Sequence, residues 1–366
     1  MRTGTLRTAR EPGVPAATPG RRRRALVLAG FALASAVLFV LTIALGPQRV
    51  PLDDVLRILL GQPAQDPRWT VIVEELRLPR ALTAAAAGAA LAVAGVQMQT
   101  LFRNPLADPY SLGVSSGASM GVAAVVAGSG GAAGSFAGGL AGLGRIGLVL
   151  ASAAGAGAVL ALVLVLSLRT RSAATLLLIG VMIGSMATSL VSVALVFARP
   201  EHAQQFLLWG LGTFDATTWP DLVVMLPVLA VGLALALLTT KRLNALLLGE
   251  DYARTMGLNA RSSRHLSLLG TTILAGGATA FCGPVAFIGL AVAHLTRIAL
   301  GTSDHRVMVP TALFAGAATA LACTMLSHLP GVETALPLNA ITSLFGAPVV
   351  VALLVRSRRA MRGMEL

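Results

Sequence analysis

Apolar windows of about 20 residues, the length that crosses a bilayer's hydrocarbon core, recur from residue 25 to residue 355 of this sequence. Nothing else constrains the fold as much. Inside hydrocarbon the chain must satisfy its own backbone polar groups, so runs of this length read as spanning helices. Ten candidates follow one another, at about 25–45, 81–101, 113–128, 145–167, 173–197, 220–240, 266–282, 285–300, 307–329 and 338–355. The expected fold class is all-α: a polytopic membrane protein of about ten transmembrane helices with a short cytoplasmic helix. A mean hydropathy of +0.80 with only 12% charged residues agrees.

The net charge of +13 does not read as a nucleic-acid footprint, because the basic residues fall in short connections between apolar runs, where they act as topology signals. With the N-terminus inside, seven of the 28 basic residues lie outside: Arg49, Arg57, Arg68, Arg77, Arg80, Arg145 and Arg199. That asymmetry predicts a multi-pass protein of the cell membrane with both termini cytoplasmic. Trp69, Trp209 and Trp219 then fall near the outer surface, where indole rings favour the interface. Residues 1–24 read as a disordered cytoplasmic tail, 25–355 as one ten-span domain, and 356–366 as a basic cytoplasmic tail.

Two outer connections are long. Residues 46–80 contain a short amphipathic helix at Leu52–Leu60 and end in Arg77-Leu78-Pro79-Arg80; residues 198–219 contain Phe206–Phe214, apolar but too short to cross. On the other side one connection is long enough to fold by itself, the basic stretch Lys241–His265. There Glu250 and Asp251 follow Gly249, and Gly257 comes soon after Arg254, the marks of a short capped helix. Such a helix on the cytoplasmic face offers a soluble partner something to push.

Chemistry of other kinds is missing from the pattern. None of the 15 acidic residues falls near the centre of a predicted span, which disfavours a proton-coupled carrier. The five histidines are scattered, and Cys282 and Cys323 make neither a metal-ligand spacing nor a disulfide framework. Lys241, the sole lysine, stands between Thr240 and Arg242, so the chain carries no phosphate-binding P-loop. No metal site, resident cofactor or catalytic residue is expected. Spacing of small residues at Ala84/Gly88, Gly117/Gly121 and Gly180/Gly184 suits close helix packing.

Three passages carry a resemblance: Arg77-Leu-Pro-Arg80 leading through GAALAVAGVQMQTLFRNPLADPYSLGVSSGA, LGEDYARTMG at 248–257, and GPVAFIGLAVAHLTRIALGTSDHRVMVPTALFAGA at 283–317. In order and spacing they resemble the FecCD-type permease family of ABC importers for iron–siderophores, haem and cobalamin. The resemblance implies a ten-span transporter subunit, not an enzyme, which pairs with a second permease (a copy or a paralogue) and two cytoplasmic ATPase subunits. ATP and Mg would then sit on the partner ATPase, and an extracytoplasmic binding protein would deliver a metal-chelate substrate, most simply a ferric siderophore. It also implies roles for particular residues. Gly249, Glu250, Ala253, Gly257 and Leu258 fall on the family's ATPase-coupling helix, Asn104, Pro105 and Leu106 on its cytoplasmic gate, and Arg77 and Arg80 on its binding-protein docking face. The sequence departs from the family pattern at Ala293, Cys323, Ser327, Ala335 and Asn339. The competing readings are an ion-coupled secondary transporter acting without an ATPase, and a membrane scaffold that moves no substrate.

Overall fold

A computed structural model describes residues 20–46, 48–128, 145–169, 173–328 and 335–362. All ten predicted runs are helical in it. They are α1 (Arg21–Ala44), then, after α2 (Leu52–Leu59) and α3 (Pro67–Val71), α4 (Leu78–Leu101), α5 (Val114–Gly128), α6 (Arg145–Arg169) and α7 (Ala173–Val196). After α8 (Pro200–Gly210) come α9 (Trp219–Leu247), the short α10 (Glu250–Thr255), α11 (Ala260–Cys282), α12 (Ile288–Leu300), α13 (His305–Ser327) and α14 (Leu338–Arg362). Seven are long and apolar enough to cross a membrane; three apolar helices, α5, α12 and the described part of α14, are shorter.

Several boundaries differ from expectation. Helix α1 starts at Arg21, four residues before the apolar run, because arginine is a good helix former and extends a helix already held by its apolar length. The remainder of the expected N-terminal tail, residues 1–19, lies outside the described residues, as do 363–366 of the C-terminal tail. Helix α14 runs to Arg362, through most of the segment read as tail. Helix α9 continues to Leu247 and α11 begins at Ala260, so the basic island is largely two helix ends, with only residues 248–259 between them. Asn259 fixes the second boundary by accepting from the Ser262 backbone N–H at 3.0 Å. The apolar stretch Phe206–Phe214 is half helix and half loop, since α8 stops at Gly210.

The centre of the molecule is α4. Eighteen of its 24 residues are buried, and from Ala90 to Leu101 every one is. It packs against α13, α11, α12 and α9. Small residues make this possible: a Cβ placed on Gly95 would lie 2.0 Å from the Gly289 carbonyl oxygen, and one on Gly88 2.4 Å from that of Gly316. A second tight pair joins α5 to α6, where a Cβ on Gly121 would meet the Ala151 carbonyl at 1.9 Å. Polar side chains inside the bundle pair with one another. Gln97 of α4 bonds Thr239 of α9 (3.2 Å) and accepts from Thr271 of α11 (3.0 Å), which satisfies groups that hydrocarbon cannot.

Candidate coupling and gate assembly

At one end of the bundle, α4, α9, α10 and α13 meet. Helix α10 is a turn and a half long, entered through Gly249 at φ +122° and left through Gly257 at φ +77°, angles that favour glycine. Both glycines were expected as the segment's punctuation. The helix does not stand free. Ala253 is fully buried, and Ala253 and Leu258 belong to a cluster with Met98, Leu101, Leu243 and Leu246. Outward it shows Tyr252, Met256 and the preceding Leu248, with relative exposures of 54%, 62% and 65%. The candidate contact residues Gly249, Glu250, Ala253, Gly257 and Leu258 therefore include Ala253, which faces inward, and Leu258, which packs half-buried against the same cluster. The exposed apolar trio was missed. Spacing held only part of the signal, since Tyr252 and Met256 are four apart and share a face, while Met256 also stands three from Ala253, so that the fold and not the period decides which side turns inward.

The loop after α4 is built around Asn104. Its side-chain oxygen accepts from the Leu106 N–H at 2.9 Å, its own N–H donates to the Gln99 carbonyl, and its carbonyl accepts from the Ala107 N–H. Pro105 and Leu106 are exposed at the tip. Arg103 precedes them with a left-handed backbone (φ +46°), a conformation costing a non-glycine residue on the order of 1–3 kcal/mol. Its guanidinium donates to the Leu246 carbonyl at 3.1 Å, in the last turn of α9. A Cβ on Gly249 would stand 3.7 Å from the same group. A second link is buried. The Asn244 side-chain oxygen takes the His305 backbone N–H at 2.8 Å and lies 2.7 Å from His305 Nδ1, while His305 Nε2 lies 2.8 Å from the Thr100 hydroxyl. The Asn244 amide also donates to Asp304 at 2.6 Å. Burial alone would raise the Asp304 carboxyl, but bonds from the Arg306 N–H and Asn244 hold it below its usual range. The predicted gate and coupling residues thus share one end, where Arg103 and Leu246 stand between them.

The opposite end holds the two candidate docking arginines, and the structure corrects the first. Arg77 is 6% exposed. Its Nη1 donates to the Ile43 and Ala44 carbonyls at 2.7 and 3.0 Å, and Nη2 to that of Gln48. These are carbonyls at and just beyond the C-terminus of α1, left without helical partners, which a cation satisfies well. Arg77 is therefore a clasp inside the chain and not a presented charge. Arg80 Nε lies 2.5 Å from Asp215 Oδ1, an ion pair without hydrogen-bond alignment. Asp215 Oδ2 also faces His328 Nε2 at 2.9 Å, and His328 Nδ1 is 3.0 Å from the Thr324 carbonyl. Both ring nitrogens of His328 thus face oxygen atoms. A cleft of about 140 Å³ opens beside Asp215, Ser327 and His328. Nearby, the Asn339 amide donates to the Pro284 and Gly210 carbonyls (2.7 and 3.2 Å), and its oxygen accepts from the Ala286 N–H (3.0 Å). Among the described residues no group of His, Cys, Asp and Glu could hold a metal ion.

These features, a polytopic helical bundle with a short helix seated on one end, define a multi-pass membrane protein. Residues 26–356 match the model of the FecCD transport family, and the chain belongs to that family. It is 34% identical to the uncharacterized ABC transporter permease protein YvrB of Bacillus subtilis, over 93% of this chain and 96% of that one. Likewise it is 34% identical to the vitamin B12 import system permease protein BtuC of Klebsiella pneumoniae, over 92% and 96%. The hemin transport system permease protein HmuU of Yersinia pestis is 33% identical over 84% and 90%. A solved structure described as an inward-facing conformation of a metal-chelate type ABC transporter superposes with a TM-score of 0.78 at 26% identity, covering 91% of this chain and 99% of that one.

Proposed function

We propose that this chain is the permease subunit of a binding-protein-dependent ABC importer for a metal chelate, working by alternating access. The observation that carries the reading is the assembly at one bundle end. The short helix α10, flanked and topped by the exposed Leu248, Tyr252 and Met256, is seated through Ala253 on the same buried cluster that holds the end of α4, and the loop Asn104–Leu106 begins three residues after that end. Displacement of α10 by a motor subunit would reach that loop directly. The motor is a separate ATPase pair carrying ATP and Mg, because this chain has no P-loop. The end bearing α10 is cytoplasmic on the charge pattern, and the end bearing Arg77 faces the binding protein.

A second copy or paralogue would cover the exposed face of α7, where Met182, Ser185, Met186 and Ser189 are open. Beside it runs a groove of about 400 Å³ lined by Ser111, Ser116, Ser185 and Thr188, polar enough to be wet rather than lipid-facing. Two of the three relatives named above are vitamin B12 and hemin permeases, and the cargo chemistry those two share is a metal inside a bulky organic ligand. A ferric siderophore is our specific reading.

The test is uptake into proteoliposomes of labelled ferric siderophore, hemin and cyanocobalamin, by the permease with its ATPase and binding protein. One of the three should accumulate with ATP and none without the ATPase. Uptake that follows an ion gradient without the ATPase would instead establish a secondary carrier. For coupling, Tyr252→Ser with Met256→Ser should weaken ATPase association at least about tenfold, the loss expected when apolar interface anchors are removed, with the permease still folded. Unchanged association would move the contact away from α10.

A further inference from the structure

We infer that Arg103 is the residue that transmits motion of the coupling helix to the gate loop; this rests on the function proposed above. Besides the apolar packing of Met98 and Leu101 with Leu243 and Leu246, two polar connections run from the end of α9 to the end of α4 and its loop. The Asn244–His305–Thr100 chain is buried and passes through the first turn of α13, so it fixes where the two helix ends stand. The other is Arg103 alone. It belongs to the loop, sitting one residue before Asn104, and its guanidinium holds the Leu246 carbonyl, three residues before Gly249 and the start of α10.

The geometry suits a transmission element for three reasons. The contact is charge-assisted and made to a carbonyl at a helix C-terminus, where the helix dipole favours a cation. Arg103 itself is exposed, so the contact can lengthen or break without opening a cavity in the core. Its backbone occupies a left-handed region that a non-glycine residue leaves readily once its side chain is released. The backbone at 102–104 is otherwise held by the N–H groups of Phe102, Arg103 and Asn104 on the Met98, Thr100 and Gln99 carbonyls and by the Ala107 N–H on the Asn104 carbonyl, and these bonds lie within the loop and helix end themselves. When α10 and the last turn of α9 shift together, Arg103 draws residues 103–106 with them. If the guanidinium is removed, α10 can still move while the loop no longer follows.

The experiment uses the full complex in nanodiscs, with Cys282→Ser and Cys323→Ser removing the buried native thiols and Leu106→Cys reporting on the loop. A water-soluble maleimide reads the loop in the nucleotide-free and the ATP–vanadate-trapped states. With Arg103 present, the labelling rate should differ at least about fivefold between the states, the low end of ordinary site-to-site coupling. In Arg103→Met the difference should fall below about twofold, while ATP hydrolysis and vanadate trapping persist. Arg103→Gly, which fits the left-handed backbone without strain, should uncouple in the same way and separates loss of the link from misfolding. Arg103→Lys keeps a cation in reach and should restore part of the response. A full nucleotide response in Arg103→Met and Arg103→Gly overturns the inference. Loss of ATPase binding in those variants also overturns it, by making Arg103 a docking residue. No nucleotide response in the Arg103 parent overturns the proposed function, and this inference with it.

Discussion

At the scale of single residues, the structure separates charges that look alike in sequence. Arg77 and Arg80 stand three apart in one motif, yet the first is buried as a carbonyl clasp and the second is paired with Asp215. Sequence could place both at a helix start, but not tell which would turn inward, because that depends on where α1 ends, 33 residues earlier. Arg77→Met leaves three carbonyl contacts unmade and should destabilise the protein by on the order of 3 kcal/mol, with charge-assisted bonds counting roughly 1–2 kcal/mol each after discounting. Thermal unfolding in detergent reads this, and an unchanged midpoint would contradict the clasp.

Asp215 gives a pH prediction. Burial alone would raise its carboxyl, but His328, Arg80 and Thr213 outweigh burial and hold it below the usual range. A depressed folded pKa contributes stability that is complete above the unfolded value and is lost as pH falls through the folded one. The difference in melting temperature between the wild type and Asp215→Asn should therefore be full at about pH 6 and shrink below about pH 4. A gap that stays constant down to about pH 3 would show that the carboxylate's charge is not what matters.

At the scale of elements, all ten predicted helices are present, because apolar runs of spanning length leave no alternative in hydrocarbon. Their ends were harder to read. Lys241, Arg242 and Arg261 looked like loop and lie in helices, since arginine and lysine extend a helix as readily as they mark its exit from a membrane. Close-packed glycines were legible only in part. Gly88, Gly117, Gly121 and Gly180 stood out by four-residue spacing, whereas their partners Gly155, Gly289 and Gly316 and the tightest central contact, at Gly95, belong to cross-helix pairs that no spacing within one helix reveals. Gly95→Ala has no room beside Gly289 and should cost about 1–3 kcal/mol or more through overpacking. Gly157→Ala, with nothing within 4 Å, should be neutral or gain about 0.5–1 kcal/mol from helix propensity. Denaturation midpoints of the two variants test the contrast, and equal effects would mean the α4–α12 contact is loose.

At the scale of the molecule, the candidate site was legible as location and less so as orientation. The sequence located the candidate gate loop and the candidate coupling helix separately, and the fold places them at one end, Ala253 inward and Tyr252 outward. Ala253→Glu should thus unfold the seat of α10 on its own bundle, whereas Tyr252→Ser should spare it. Limited proteolysis of the isolated permease distinguishes the two, and equal sensitivity would place Ala253 on the surface. The departure at Asn339 has a structural meaning as well, since its amide joins chain from the ends of α8 and α11 to the start of α14.

The glycine contacts have a mechanical consequence. Where backbone rests directly on backbone, as between α4 and both α12 and α13, and between α5 and α6, no flexible side chain lies between to absorb sliding. Each set is welded, and relative motion is left to seams where side-chain atoms intervene, such as those α11 makes with both sets, where Gln97 stands 3.7 Å from a Cβ on Gly270 and Ala156 and Val114 stand 3.4 and 3.6 Å from one on Gly276. A machine of this build deforms along few lines: two stiff blocks turning about α11, with amide exchange slowest inside the blocks and fastest along the seam.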